Sequence, residues 1–475
     1  MIERLSGADR LVLGADSIWP QDVGALAILD GGRLLDERGA LRVAEFREAI
    51  DRRLHRVPRF RQRVFRPRRG LGGPIWVDDA TFDLADHVRV RPLPDGSQDD
   101  DMLRAAEEIR RHRLNLAMPL WGIWLMPGLM GGRVGLFLRF HHVIGDGRAA
   151  LTMLAALVDT GPASMPNDPP RWVPAPPPSA RALLADNVRR RLGALASGLR
   201  ALAHPRAWLR GLRASVPATR ELMAEAPGSD TSLNRMIGPD RRFAIVRDSL
   251  HDVRAIGRVH GATVNDVLLA ATASGLRALL IRRGESVDDL TMRILVPVSL
   301  RGRLRGTVAG NHISQMVVPL PLGPTDSVER LSAIAAETSM RKGRTRNSPT
   351  LLFRFGVVRR LVLKAIVGQR VNVTSASLTG PRHPLYLAGA RVVDLFPMLN
   401  LIGNQTIGVG VIAYAGSFEI CITADGDAVP DVGVVATGIR DELDALRVSP
   451  VRAIHLEQMT PLELAHTGAR DSVGG

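Results

Sequence analysis

The chain has 475 residues, a length that accommodates two or three domains with a buried core. Its 63 basic residues exceed its 48 acidic residues by 15, which favours an anionic partner such as a lipid headgroup, a nucleic acid or a phosphorylated cofactor. Aromatic residues make up 4% of the chain, too few for the stacking surfaces that bind single strands, so we expect no nucleic-acid partner.

The cysteine content and the N-terminal sequence both bear on the compartment. A single cysteine cannot form an internal disulfide or a Cys-based zinc site, which fits a reducing compartment. No basic segment followed by an apolar one opens the chain, and no uninterrupted apolar run approaches the ~20 residues of a membrane-spanning helix. We therefore expect a cytoplasmic protein that is neither secreted nor transmembrane.

The first part of the chain predicts a mixed α/β lobe over residues 1–160. Residues 41–57 and 100–114 have the spacing of amphipathic helices, and residues 74–82 have the pattern of a strand followed by a turn. The clearest strand is GRVGLFLRFHH, residues 132–142.

Residues 161–239 predict a connecting region. The segment GPASMPNDPPRWVPAPPPS, residues 161–179, is interpreted as a linker because proline continues neither a helix nor a strand. From residue 180, arginines alternate with apolar residues at helical spacing, with almost no acids. Such a helix is either a solvated face or a surface that docks on an anionic membrane, and both interpretations remain open.

Residues 240–475 predict a second mixed α/β lobe. Thr263 is placed to cap a helix, with Asp266 three residues further on, and the helix pattern closes at Gly284. Strand patterns follow at residues 292–302, 311–322 and 408–427.

Two adjacent histidines end the clearest strand, before the turn VIGDG. Because side chains alternate along a strand, His142 continues the apolar face, whereas His141 lies on the opposite face with Arg139. A neutral imidazole at the rim of an apolar surface can act as a general base near pH 7 and activate a hydroxyl for attack on an acyl group. We therefore interpret His142 as the base, unless a bulge at the strand end exchanges the two histidines.

The acid of this motif, Asp146, precedes Gly147 in a segment that must turn sharply. We expect its carboxylate to brace the turn rather than contact the ring of His142. A buried carboxylate needs a partner, and the expected one is an arginine of the other lobe, first Arg301 and second Arg303.

Two histidines and an acid could instead form a metal site. Adjacent strand residues point to opposite faces, so His141 and His142 can hardly bind one ion, and no His-rich motif follows downstream. We therefore predict no metal.

The segment HHVIGDG, residues 141–147, resembles the HHxxxDG motif of the CoA-dependent acyltransferases that are built like chloramphenicol acetyltransferase. Further segments are similar, in family order, to the bacterial wax ester synthase/acyl-CoA:diacylglycerol acyltransferase family. They are MIERLSGADRLVLGADS (1–17), PLW (119–121), NDVLLA (265–270), PVSLRGR (297–303), GNHISQMVVPLPL (310–322), PLYLAGARVVDLFPM (384–398) and ITADGDAVPD (422–431).

The resemblance implies two chloramphenicol-acetyltransferase-like α/β lobes with a tunnel between them. Acyl-CoA enters as a substrate from one side and the acceptor alcohol from the other, and no resident cofactor is needed. In this scheme His142 takes the proton of the acceptor hydroxyl and returns it to the departing CoA sulfur. Asn265 and the backbone amides of residues 145–147 are candidate donors to the oxyanion. The implied substrate-binding residues are Pro119, Leu120, Trp121, Asn265 and Asp266.

Two departures from the family pattern bear on substrate preference. Asn115 and Met118 precede PLW where the family usually has an acidic residue and an arginine. The segment SASLTGP, residues 375–381, which includes Ser377, stands where the family usually has an Asn-containing loop that ends in Gly-Pro.

The resemblance thus predicts an O-acyltransferase that esterifies diacylglycerol, a long-chain alcohol or both from acyl-CoA. Its lipid substrates and the arginine-rich segment predict reversible association with the inner face of the membrane or with lipid bodies. Two alternatives remain open. One is an acyltransferase or condensation enzyme of secondary metabolism that uses a carrier-protein thioester, and the other is a non-catalytic lipid-binding protein with the same fold.

Overall fold

The structure of the protein is a computed structural model that describes residues 2–145, 147–162, 169–203, 230–299, 313–344, 371 and 373–448. The helices within these ranges are α1 (Gly7–Ala15), α2 (Val43–Leu54), α3 (Asp99–Arg111), α4 (Gly147–Leu157), α5 (Ala180–Ala203), α6 (Leu250–Val259), α7 (Val264–Arg282), α8 (Ser327–Arg344) and α9 (Val432–Val448). The strands are β1 (Asp22–Asp30), β2 (Gln62–Phe65), β3 (Ile75–Asp78), β4 (Val88–Val90), β5 (Trp121–Leu129), β6 (Arg133–His141), β7 (Arg241–Ser249), β8 (Thr291–Ser299), β9 (Ile313–Pro321), β10 (Val373–Thr379), β11 (Tyr386–Leu387), β12 (Ala390–Met398), β13 (Ile407–Tyr414) and β14 (Ser417–Asp425). Strands β2 and β3 form a separate two-stranded sheet.

Six strands form the first sheet, in the order β11-β12-β1-β6-β5-β4. Strands β4 and β5 run parallel, and the other neighbours run antiparallel. One face packs on α2 through Phe46 and Ile50, and the other packs on α3 through Met102. Strand β6 is buried on both faces, including the face that carries Arg139 and His141, because helices cover both sides of the sheet.

The second sheet has the order β7-β14-β13-β10-β8-β9, and β10 runs parallel to both of its neighbours. Helix α7 packs on it with α9 and α8. The predicted cap is confirmed: the Thr263 side chain accepts the Asp266 amide, and the Asp266 side chain accepts the Thr263 amide. Among the described residues, α7 is the one helix long and apolar enough to cross a membrane, and 67% of its most apolar window is buried inside the protein.

The two lobes share a strand. Strand β12 follows the second lobe's β10 in the chain, yet it pairs with β1 in the first sheet, with Gly24 opposite Met398. The predicted lobe 240–475 therefore contributes β11 and β12 to the sheet of the predicted lobe 1–160. Helix α3 adds a second connection, because Glu107 accepts the backbone amide of Phe243 at 3.0 Å.

The described residues 169–179 of the predicted linker contact the first lobe. The ring of Trp172 packs edge-on to Phe82, and the Ala175 amide donates to the carboxylate of Asp78 at 3.0 Å. The arginine-rich segment begins with a helix as predicted, and Arg4 of the first lobe donates to the buried Asp186 of α5 at 2.6 Å. Proline thus excludes regular elements here but allows an extended, packed chain.

Candidate active site

The two adjacent histidines are held by hydrogen bonds to opposite neighbours of β6. The His141 amide donates to the Leu120 carbonyl at 2.9 Å, on the β5 side. The His142 amide donates to the Gln21 carbonyl at 2.7 Å, on the β1 side. Because β6 lies inside the sheet, both flanking strands fix the backbone of the motif.

The ring of His141 is 2% exposed and serves the structure of the turn. Its Nδ1 accepts the Val143 amide at 3.0 Å, so in the neutral ring the proton lies on Nε2. Nε2 faces the Asp16 carboxylate at 3.3 Å. Burial raises the pKa of Asp16, but contacts with His141 and the Gln21 amide outweigh burial and hold that pKa below its ordinary value.

The ring of His142 is only partly buried. Strand β6 ends at His141, one residue before the predicted end of the strand, so His142 opens the following turn. Side chains therefore alternate between the two faces of β6 up to His141. The hydrogen bond from the His142 amide to the Gln21 carbonyl extends the pairing with β1 by one residue. Of the two imidazoles, that of His142 is the more accessible, and its role as base stays a prediction.

Asp146, Arg301 and Arg303 lie outside the described residues, so their proposed ion pair stays a prediction. Gly147 is the first residue of α4.

The PLW segment supports the histidine strand. Leu120 is fully buried, and its carbonyl is the acceptor for His141. The Trp121 ring stacks on Phe60 with centroids 4.5 Å apart, and its indole N–H donates to the Phe60 carbonyl at 2.7 Å. Pro119 and Trp121 also line a cavity, and their predicted contact with substrate stays a prediction.

In the second lobe, the predicted residues Asn265 and Asp266 lie in the first turn of α7. Asp266 is buried and accepts the Thr338 hydroxyl at 2.7 Å, which connects α7 to α8. Asn265 is partly buried, and its assignment as an oxyanion donor stays a prediction.

A buried ionic cluster beside the histidines was missed by the sequence analysis. The Asp22 carboxylate accepts Arg139 Nε at 2.7 Å and Arg110 Nε at 3.0 Å. Burial raises the pKa of Asp22, but the two guanidinium groups outweigh it and hold that pKa below its ordinary value. Across the lobe boundary, burial and the charge of Arg110 lower the pKa of Arg241 to about 10. A signal was present, because an arginine within an apolar strand requires a buried acid.

The loop after β12 also reaches the motif. The Asn400 side-chain amide donates to Gln21 Oε1 at 3.1 Å, and Gln21 carries the carbonyl that binds the His142 amide. A residue from the second half of the chain is thus hydrogen-bonded to Gln21, the residue that holds the His142 amide.

A cysteine nucleophile and a metal ion are the other two sources of chemistry to consider for this protein. Cys421 is buried in β14, and burial raises the pKa of its thiol to about 12, so it is no thiolate nucleophile near neutral pH. In the part of the chain that the structure describes, no group of three or more His, Cys, Asp or Glu side chains could hold a metal ion. The chemistry that the arrangement offers is proton transfer by an imidazole.

Comparisons with known proteins agree with this geometry. Residues 5–268 match the wax ester synthase/diacylglycerol acyltransferase catalytic domain, and residues 309–447 match the C-terminal domain of the same family. A protein of Mycobacterium tuberculosis named "Probable diacylglycerol O-acyltransferase" is 30% identical over 440 residues, which cover 89% of this chain and 90% of the relative.

Solved structures share the predicted fold. The wax ester synthase/diacylglycerol acyltransferase of Marinobacter aquaeolei matches with a TM-score of 0.68 and 23% identity, over 93% of this chain and 98% of that one. The starter condensation domain of rhizomide synthetase, in complex with C8-CoA, matches with a TM-score of 0.57 and 14% identity, over 95% and 96% of the two chains. The predicted fold of two α/β lobes is confirmed. With both domain models matched in order along it, the chain belongs to the wax ester synthase/diacylglycerol acyltransferase family.

Proposed function

We propose that this protein transfers a long-chain acyl group from acyl-CoA to the hydroxyl of diacylglycerol, of a long-chain alcohol, or of both. The observation that carries the proposal is the partly buried His142, which follows the central strand of the first sheet in a chain of this family. The products are an ester, either triacylglycerol or a wax ester, and free CoA.

In the proposed reaction, His142 takes the proton from the acceptor hydroxyl as its oxygen attacks the thioester carbonyl. The tetrahedral intermediate collapses with cleavage of the C–S bond, and His142 returns the proton to the departing sulfur. No covalent enzyme intermediate forms. Asn265 and the backbone amides of residues 145–147 are the proposed donors to the oxyanion, and one such donor typically lowers the barrier by ~2.7–4 kcal/mol.

The test uses purified protein, radiolabelled palmitoyl-CoA and separate incubations with a diacylglycerol and with hexadecanol, followed by separation of the labelled lipids. Labelled triacylglycerol or wax ester is the expected product, and the ratio of the two names the preferred acceptor. A parallel incubation supplies the acyl group on a carrier protein. Transfer from the carrier protein alone would favour the secondary-metabolism alternative, and transfer from neither donor would favour a lipid-binding protein.

We further propose that the protein works in the cytoplasm and docks reversibly on anionic membranes or lipid bodies through α5. The side of α5 that carries Leu183 and Asp186 is buried on the first lobe. Four large apolar residues point to the opposite side at intervals of four, four and three, the spacing of one helical face. They are Leu184, Val188, Leu192 and Leu195, which are 46–62% exposed.

Arginines flank this apolar stripe. Arg181, Arg189, Arg190 and Arg191 are all exposed, and the buried Asp186 offsets part of the charge of Arg189 and Arg190 at 3.1 Å. An apolar stripe bordered by cations suits the boundary between acyl chains and anionic headgroups, and each basic residue near such a surface contributes about 1 kcal/mol.

A further inference from the structure

A cavity of about 250 Å³ opens between the C-terminal end of α3, the loop 112–119 and strands β4 and β5. Complete small-molecule sites commonly occupy about 300–1,000 Å³, so this cavity suits one end of a larger ligand. Its wall includes Asn115 and Met118, which precede PLW and form one of the two predicted departures from the family pattern.

The wall of the cavity carries an excess of positive charge. Its described residues include Arg89, Arg113 and Arg139 and one acid, Asp86, while Asp22 behind the wall offsets part of the charge of Arg139. Arg139 is 2% exposed. Its Nε donates to Asp22 and its Nη1 to the Ile109 carbonyl. Nη2 donates no hydrogen bond to another described residue, so it is the donor that a ligand could use. A guanidinium fixed in this way is a ready donor to an anionic oxygen.

Planar side chains form another part of the cavity wall. The guanidinium of Arg89 lies 5.7 Å from the ring centroid of Trp124. A side chain at position 122 would clash with this indole, because an added Cβ would lie 2.7 Å from the ring. Glycine at this position therefore leaves room for Trp124. Arginine and tryptophan together provide stacking for a planar ligand as well as charge.

His87 adds a hydrogen-bond acceptor at the cavity. Its ring is 2% exposed and is stacked on Trp121 with centroids 4.7 Å apart. Nδ1 lies 2.9 Å from the Trp121 carbonyl, which can only accept, so Nδ1 carries the proton and Nε2 is the acceptor. Nε2 is buried and has no hydrogen-bond partner among the described residues. Burial lowers the pKa of His87, which favours the neutral ring.

We propose that this cavity binds a phosphate ester carried on a flat or apolar body. The arginines would bind the phosphate, and the indole of Trp124 would pack on the flat or apolar part of the ligand. His87 Nε2 would accept a hydrogen bond from that part. The inference rests on the proposed function, in which such groups come from two sources: the nucleotide end of acyl-CoA and the headgroup of a phospholipid. The aromatic wall favours the nucleotide.

The position of the cavity agrees with this assignment. Arg139 lies in β6, and His142 follows the end of that strand three residues further on, about 10 Å along the chain. A donor anchored by its nucleotide in the cavity could therefore extend its pantetheine arm to the histidine turn.

Direct binding tests the site without catalysis. Adenosine 3′,5′-bisphosphate and dihexanoyl phosphatidate are each titrated calorimetrically into wild-type protein, Arg89→Gln and Arg104→Gln. Arg104 is an exposed arginine on α3 outside the cavity, so its variant controls for the loss of one charge. Loss of one charge-assisted bond should weaken bisphosphate binding about 10-fold in Arg89→Gln and leave Arg104→Gln unchanged.

Each outcome decides the proposal. Phosphatidate binding with the same dependence on Arg89, without bisphosphate binding, would support the phosphate site with a lipid as its source. Absence of binding by both probes, or equal binding by wild type and Arg89→Gln, would overturn it.

A kinetic comparison of two acyl donors tests whether the cavity takes part in the reaction. Palmitoyl-CoA is compared with the palmitoyl thioester of N-acetylcysteamine, which lacks the nucleotide. If the nucleotide is the ligand, Arg89→Gln should raise KM for palmitoyl-CoA and leave turnover of the short thioester unchanged. Equal impairment with both donors would contradict the nucleotide assignment. Failure of wild-type protein to use either donor would refute the proposed function, while the titrations would still decide the site.

Discussion

His141 Nδ1 accepts the backbone amide of Val143 at 3.0 Å, within the turn that begins at His142. The buried ring therefore sets the course of the chain around its neighbour. The other nitrogen, Nε2, is buried and lies 3.3 Å from the Asp16 carboxylate. Proton transfer to a substrate by the more accessible ring of His142 stays a prediction.

Replacement of His142, the proposed base, should remove most of the acyl transfer without unfolding the protein. We expect His142→Ala to reduce acyl transfer by ~10²–10⁴-fold, because general-base catalysis contributes that factor. The melting temperature should stay close to that of the wild type, since this side chain is only partly buried. Steady-state assays and thermal melts of the two proteins check the prediction.

His141→Ala is the matched comparison. It removes a buried ring and the acceptor for Val143, so we expect a lower melting temperature and a smaller loss of transfer than for His142→Ala. Equal loss of activity in the two variants, or a greater loss at His141, would show that the two roles are exchanged.

Asp146 is predicted to brace the motif through an ion pair with Arg301. Removal of one partner of a buried pair can cost ~3–5 kcal/mol, so Asp146→Ala should lower both the melting temperature and the activity. Arg301→Ala should have a similar effect, and the double variant should add little to either single change. An Asp146→Ala protein that is inactive but fully stable would instead indicate a direct catalytic role.

Glu419 should make stability depend on pH. Its side chain is 1% exposed in β14, and burial, with the negative charge of Asp394, raises its pKa from 4.5 to about 8. The folded protein therefore prefers the protonated acid. This contribution to stability is complete below the unfolded-state pKa and is lost as the pH rises through about 8.

Glu419→Gln keeps the neutral form at every pH. Relative to wild type, its melting temperature should be higher at about pH 9 and should lose that advantage at about pH 5. Glu45→Gln, which changes an exposed acid of α2, serves as the control and should shift neither value. A constant difference between Glu419→Gln and wild type across this range would contradict the prediction.

Membrane docking through α5 should depend both on electrostatic attraction by its arginines and on burial of its apolar side chains. Co-sedimentation with anionic liposomes should fall when salt is raised, because salt screens exposed charges beyond about a Debye length. Replacement of Arg189, Arg190 and Arg191 by glutamine should weaken binding at low salt. Replacement of Leu192 and Leu195 by asparagine should weaken it at both salt concentrations.

The outcome that would count against docking is equally specific. If wild-type protein fails to sediment, or if salt and the arginine replacements both leave sedimentation unchanged, α5 is a solvated connecting face. Neutral liposomes control for binding that does not depend on charge.

Local sequence patterns predicted helices and strands well where a single rule determines the structure. The Thr263–Asp266 cap follows from residue types at fixed spacing, and β6 follows from its apolar run, with an error of one residue at the histidines. The pairing of β12 with β1 could not be predicted in this way, because a strand pattern does not specify which sheet the strand joins. The cluster around Asp22 likewise depends on three segments that meet only in the folded protein.

The shared strand has a consequence for biosynthesis. The β1 edge that receives β12 includes the fully buried Leu26, and β12 leaves the ribosome only after most of the chain has been made. Until then, the first sheet presents an unpaired apolar edge, which is a template for association with other chains. A fragment that ends in the proline-rich segment keeps that edge permanently, so this N-terminal fragment should aggregate when expressed alone and recover solubility when the rest of the chain is co-expressed.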